Sequence, residues 1–166
     1  MKVLLYALLA LVVVPLQTTL LHYVSIFGVR PDIGLVAACL VGFFGGELDG
    51  LILGLILGYS QDMLSAGDFW VNVVTKGGAG FLAGLAGRHM AHITPAVLTA
   101  SLAIISFLSS AVFLYSMNPA SMEDIWIGVR STILIQAIFD AALGAGLYML
   151  FRRRWSGDRM VTEGAL

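Results

Sequence analysis

The stretch Gly50–Asp62, GLILGLILGYSQD, repeats glycine at every fourth position and sets an aspartate, Asp62, on the beat after Gly58. Between the glycines there is only leucine and isoleucine. Residues four apart lie on nearly one face of an α-helix. The segment therefore reads as an apolar helix with one face stripped of side chains and closed by a carboxylate. Gly42 and Gly46 keep the same beat upstream, and Gly77, Gly80, Gly84 and Gly87 form a second small-residue face downstream. Lipid gives helices no hydrophobic drive toward each other, so close backbone contact at small residues is what joins them. The pattern predicts two neighbouring helices packed through Gly46, Gly50, Gly54 and Gly58 on one side and Gly80 and Gly84 on the other. A ligand-lining or partner-facing role for part of the stripe stays open.

The surrounding composition sets this pattern in a membrane. Of 166 residues, 59% are hydrophobic and only 11% are charged, too few charges to cover a soluble domain of this size. Mean hydropathy is +0.94, and the apolar residues come in runs on the scale of a bilayer's hydrocarbon core. The formal charge of −1 makes no case for nucleic acid, and the single cysteine, Cys39, excludes an intrachain disulfide. The expected fold class is all-α: a polytopic bundle of about six transmembrane helices over residues 1–151, followed by a short basic cytoplasmic tail, 152–166. The spans fall near Val3–Ile26, Ile33–Gly46, Leu51–Ser65, Phe69–Gly87, Ala96–Met117 and Ile125–Phe151. The second and third are short, so 33–65 reads either as two crossings or as a hairpin that does not fully cross. Lys2, Arg88, Arg152, Arg153, Arg154 and Arg159 fall on one side and only Arg30 and Arg130 on the other. The positive-inside rule then puts both termini in the cytoplasm.

Polar residues inside the spans are the candidate site. A charge in hydrocarbon costs at least roughly 2.5–3.5 kcal/mol on insertion scales, so such groups pair or face the bundle interior. Asp62 and Lys76 fall at similar depth on the glycine-faced helices, and the sequence predicts a buried pair between them, direct or through water. The alternative is that Asp62 reaches the surface and Lys76 snorkels to it. Asn72 belongs to the same cluster, and Arg130 either joins it or snorkels. Asp140 lies mid-span with Gln136 one turn before it. A satisfied structural hydrogen bond is the favoured reading over a proton relay or ligand site, with Gln17 as a candidate partner. His89 and His92 make an incomplete metal site. Glu123 and Asp124 suit the start of the sixth helix, and Trp70, Trp126 and Trp155 suit membrane interfaces. No nucleophile–base set and no phosphate loop is visible, so neither an enzyme nor a cofactor is expected.

Two longer stretches carry a resemblance. GVRPDIGLVAACLVGFFGGELDGLILGLILGYSQDML, starting at Gly28, and DFWVNVVTKGGAGFLAG, starting at Asp68, together resemble the MreD family of rod-shape-determining membrane proteins. The features that carry it are Pro31-Asp32, the glycines leading to Asp62, then Asn72, Gly80 and Gly84. The resemblance implies a non-enzymatic component of the bacterial elongation machinery in the cytoplasmic (inner) membrane. It implies an MreC-like single-span scaffold as partner. An MreB-like filament, a RodA-like glycosyltransferase and a class B penicillin-binding transpeptidase would complete the complex. It also implies a fold similar to the substrate-binding subunits of energy-coupling-factor transporters, which supplies the rival function. That rival needs an outward polar pocket, for which Asp62, Lys76 and Arg130 are candidates, and a small-residue face on the first helix. Ala7 and Ala10 offer a thin version of that face.

Overall fold

Asp32 decides where the second helix begins. Its carboxylate accepts the Leu35 N–H at 3.0 Å, satisfying one of the amides that a helix start leaves without a partner. The structure, a computed structural model, describes residues 2–20, 28–64, 70–89, 94–116, 119 and 121–163. All of its regular elements are helical: α1 (Lys2–Leu20), α2 (Ile33–Gly45), α3 (Glu47–Leu64), α4 (Val71–His89), α5 (Pro95–Ser116), α6 (Met122–Gly128), a π-helical turn (Val129–Ile133) and α7 (Leu134–Glu163). The last three run on as one path, so the described residues make six rods. Where the sequence predicts a tail from 152, the helical backbone runs on to Glu163. The expected end of the first span, 21–26, lies outside the described residues, as do Asp68 and His92.

Two rods, Pro95–Ser116 and Met122–Leu150, are long and apolar enough to cross a membrane. α2 is apolar but has 13 residues, which at about 1.5 Å each span only about 20 Å. The sixth rod starts at Met122 rather than near Ile125. Ser121 is its N-cap, accepting the Asp124 N–H at 3.1 Å, while the Asp124 carboxylate accepts the Ser121 hydroxyl at 2.8 Å.

α2, α3 and α4 form the tightest part of the bundle, and the glycines explain why. A Cβ at Gly50 would overlap the Gly80 carbonyl, one at Gly54 the Lys76 carbonyl, and one at Gly58 the Asn72 carbonyl. A Cβ at Gly80 would overlap Gly50, and one at Gly84 would overlap Glu47. The two faces interlock backbone to backbone. Gly46 is a correction to the stripe. It caps α2 with φ +102°, and a Cβ there would meet nothing within 4 Å. Its role is the left-handed turn between α2 and α3, a conformation that costs other residues energy. α1 lies on α3, with Tyr6, Ala10 and Val14 packed on Leu53 and Leu57. α5 and α7 pair with each other and close on α2 and α4 through Val36, Leu98, Leu102 and Ala141.

Candidate functional site

The carboxylate that ends the glycine stripe sits where the stripe delivers it. Interlocking along Gly50, Gly54 and Gly58 carries the end of α3 up to the start of α4. There Asp62 accepts the backbone N–H groups of Trp70 (3.1 Å), Asn72 (3.3 Å) and Val73 (3.1 Å). The first N–H groups of a helix have no partner within it, and Asp62 supplies one from the neighbouring helix. Trp70 turns into α4 with a φ of 90°, an uncommon conformation for a bulky residue. Its N–H is among those Asp62 holds.

Asn72 relays the site onward. Its Nδ2 donates to Asp62 Oδ1 at 2.8 Å, and its Oδ1 accepts from Lys76 Nζ at 2.8 Å. Lys76 is 2% exposed, and its ion pair is with Asp32, Nζ to Oδ2 at 2.7 Å. The predicted pair is therefore corrected. Asp62 and Lys76 are not in contact but are joined through Asn72, and the counter-charge comes from the Pro31-Asp32 turn. The sequence hides this because the fold sets the 28–32 turn against α4, which no helical spacing indicates.

Asp32 links the remaining rods. Its Oδ1 accepts from Gln17 Nε2 at 3.1 Å as well as from Leu35. Gln17 Oε1 accepts the Gly34 N–H at 3.2 Å and Gln61 Nε2 at 2.8 Å. The Asp32 N–H donates to Asp140 Oδ1 at 2.7 Å, and Ser106 Oγ donates to Asp140 Oδ2 at 2.5 Å. Asp140 and Ser106 are both fully buried. Asp140 thus bonds Asp32 and Ser106, whereas the sequence names Gln17 as a candidate partner. One hydrogen-bonded chain runs from α1 to α7 and touches all six rods at one end of the bundle. Among the described residues no buried side-chain nitrogen or oxygen lacks a partner.

Arg130 stays outside the network, exposed on the π-helical turn. Gln136 is half-buried and lines a cavity instead. That cavity, about 410 Å³, lies between α4, α5 and the sixth rod, with Asp32, Asn72 and Lys76 as one wall. A second cavity of about 280 Å³ lies beyond Asp32 and Asn72, against Gln17, Arg30 and Gln61. At the opposite end of the bundle, exposed Arg88 pairs with Glu47 at 3.0 Å, a contact of the kind worth little in water. Among the described residues no group of three or more His, Cys, Asp or Glu could hold a metal. Sequence reasoning passes over Ser106, Gln61, Ser109, Ser110 and Thr132. Nothing in the sequence sets Ser106 apart, because the same apolar helix also carries Thr99, Ser101, Ser109 and Ser110. Compared with known proteins, the chain matches no family model, no curated protein and no solved structure.

Proposed function

We propose that the chain is a multi-pass protein of the bacterial cytoplasmic membrane, with both termini in the cytoplasm. In this reading it is a non-enzymatic, MreD-like component of the cell-elongation complex that docks an MreC-like scaffold. One observation carries the reading. The residues that make the resemblance are the ones on which the bundle closes. Asp32 and Asn72 hold Lys76, Asp62 starts α4, and Gly50, Gly54, Gly58, Gly80 and Gly84 set the helix contact. A motif spent on architecture suits a scaffold subunit better than an enzyme. The exposed apolar residues of α1, among them Leu4, Leu8 and Leu11, suit a lipid or partner-helix surface. The energy-coupling-factor alternative keeps exposed Ala7 on α1, but Ala10, the other residue of that face, is 2% exposed and packs on α3.

The test is crosslinking and affinity purification of the full chain from native membranes, read by mass spectrometry. Recovery of MreC-like, RodA-like and transpeptidase proteins, with an MreB-like filament protein, is the expected result. Recovery of an ATPase pair with a coupling subunit would replace this reading with the transporter one. Recovery of neither set would overturn both.

A further inference from the structure

The larger cavity holds polar groups that the bundle does not use. Ser109, Ser110 and Gln136 line it and make no side-chain hydrogen bond with any described residue. Because no buried polar atom in the described residues lacks a partner, these free groups open onto the cavity. Lys76 forms one wall with two of its three N–H groups engaged, by Asp32 and Asn72. Leu35, Phe113 and Ile133 supply apolar surface beside them. A volume of about 410 Å³ lies in the usual range of small-ligand sites, roughly 300–1,000 Å³, which combine apolar walls with a few convergent polar groups.

The backbone around the cavity is also unusual. The π-helical turn Val129–Ile133 forms part of the wall, through Thr132 and Ile133. Such turns cost hydrogen-bond regularity and occur frequently at functional sites.

We propose that this cavity binds an uncharged group rich in hydroxyl and amide functions. The charge argument is direct. Among the described residues the charged side chains in the wall are Asp32 and Lys76, and they neutralise each other at 2.7 Å. An ionic ligand would have to break that pair or enter without a counter-charge, both costly in a site walled by apolar side chains. A neutral ligand meets three hydroxyl or amide side chains that no described residue engages. The same chemistry is offered by a free sugar-like molecule and by the headgroup of a neutral glycolipid, and the site fits either. This inference does not depend on the elongation reading.

Native mass spectrometry of the full chain in nanodiscs tests it. N-acetylglucosamine is the neutral probe, with glucosamine and glucuronate as cationic and anionic controls of similar size. Nanodiscs doped with monoglucosyldiacylglycerol form the lipid arm, against phosphatidylglycerol alone. The expected result is an adduct with N-acetylglucosamine or the glycolipid, whichever is the source, and none with the charged controls. Gln136→Leu should weaken that adduct about tenfold, the loss of one or two ligand hydrogen bonds, without lowering thermal stability. Ser110→Leu, which fills the cavity, should do the same. No adduct in either arm, binding of the charged sugars alone, or adducts unchanged in both variants would each overturn the proposal.

Discussion

Neutralising Lys76 is the sharpest probe of the polar network. The ammonium is 2% exposed and its partner Asp32 is 14% exposed, at 2.7 Å. Lys76→Met removes one charge and leaves the other uncompensated, a change that costs about 3–5 kcal/mol in buried pairs. Asp32→Asn keeps an oxygen for the Leu35 N–H, so its cost is mainly electrostatic. The double variant Asp32→Asn/Lys76→Met carries no charge at the site and should lose less than the sum of the two. The expected coupling is about 2–3 kcal/mol, the upper part of the range for residues in contact. Lys76→Met combined with Asp62→Asn is the control. Those two residues share Asn72 but no bond, so their coupling should stay below about 1 kcal/mol. Steric-trap unfolding of the full chain in bicelles reads all four corners of each cycle. Additive effects for Asp32 and Lys76, or stronger coupling to Asp62 than to Asp32, would refute this arrangement.

The glycine face makes a paired prediction within single helices. Gly54→Ala puts a methyl into the Lys76 carbonyl and should destabilise by about 1–3 kcal/mol, as overpacking does. Gly78→Ala in α4 meets nothing within 4 Å and should be neutral or stabilising by up to about 1 kcal/mol through helix propensity. Unfolding of the two variants side by side decides it, and equal effects would remove the packing argument. Asp62→Ala takes the acceptor from three backbone N–H groups and should cost about 1–2 kcal/mol. Hydrogen exchange should quicken at the Asn72 and Val73 amides and not at Gly80. Asp140→Leu strands both the Ser106 hydroxyl and the Asp32 N–H, about 1–3 kcal/mol for each group left unsatisfied. It should therefore lower the thermal midpoint in nanodiscs more than Ser106→Ala does.

What the sequence discloses follows the range of each interaction. The glycine beat is periodic along one helix, so the α3–α4 contact is readable from Gly50, Gly54, Gly58, Gly80 and Gly84 alone. Gly46 shows the limit of that method. It keeps the beat yet serves a turn, because periodicity does not report φ. Asp62, Lys76 and Asn72 are legible as charges and amides that need partners, but the partners are set by tertiary approach. Asp32 enters the sequence reading only through the Pro31-Asp32 feature, and the fold makes it the cap of α2 and the counter-ion of Lys76 at once. The cavity has no signature at all, since Ser109, Ser110, Thr132 and Gln136 are ordinary helix residues until α5 and the sixth rod are set against α4.

The two halves of the bundle differ in how they are joined, and this explains where the open space lies. α2, α3 and α4 meet backbone to backbone and leave no room between them. α5 and α7 meet this unit through side chains, whose size varies along the seam. At one level the seam is closed by Gly144, where a Cβ would overlap Leu102 and lie 3.5 Å from Val36. One turn away Asp140 closes it through Ser106 and the Asp32 N–H. Past Asp140 the sixth rod presents Gln136, Thr132 and Gly128, and the facing α5 presents Ser109 and Ser110. These are small or polar groups that fill little volume, and the seam opens there into the cavity. The wall the cavity shares with the α2–α4 unit is the Asp32–Lys76 pair, locked by Gln17, Leu35, Asn72 and Asp62. Any ligand there rests on the buried, multiply hydrogen-bonded Asp32–Lys76 pair on one side and on the π-helical turn on the other. Movement on binding should therefore be concentrated in α5 and the sixth rod.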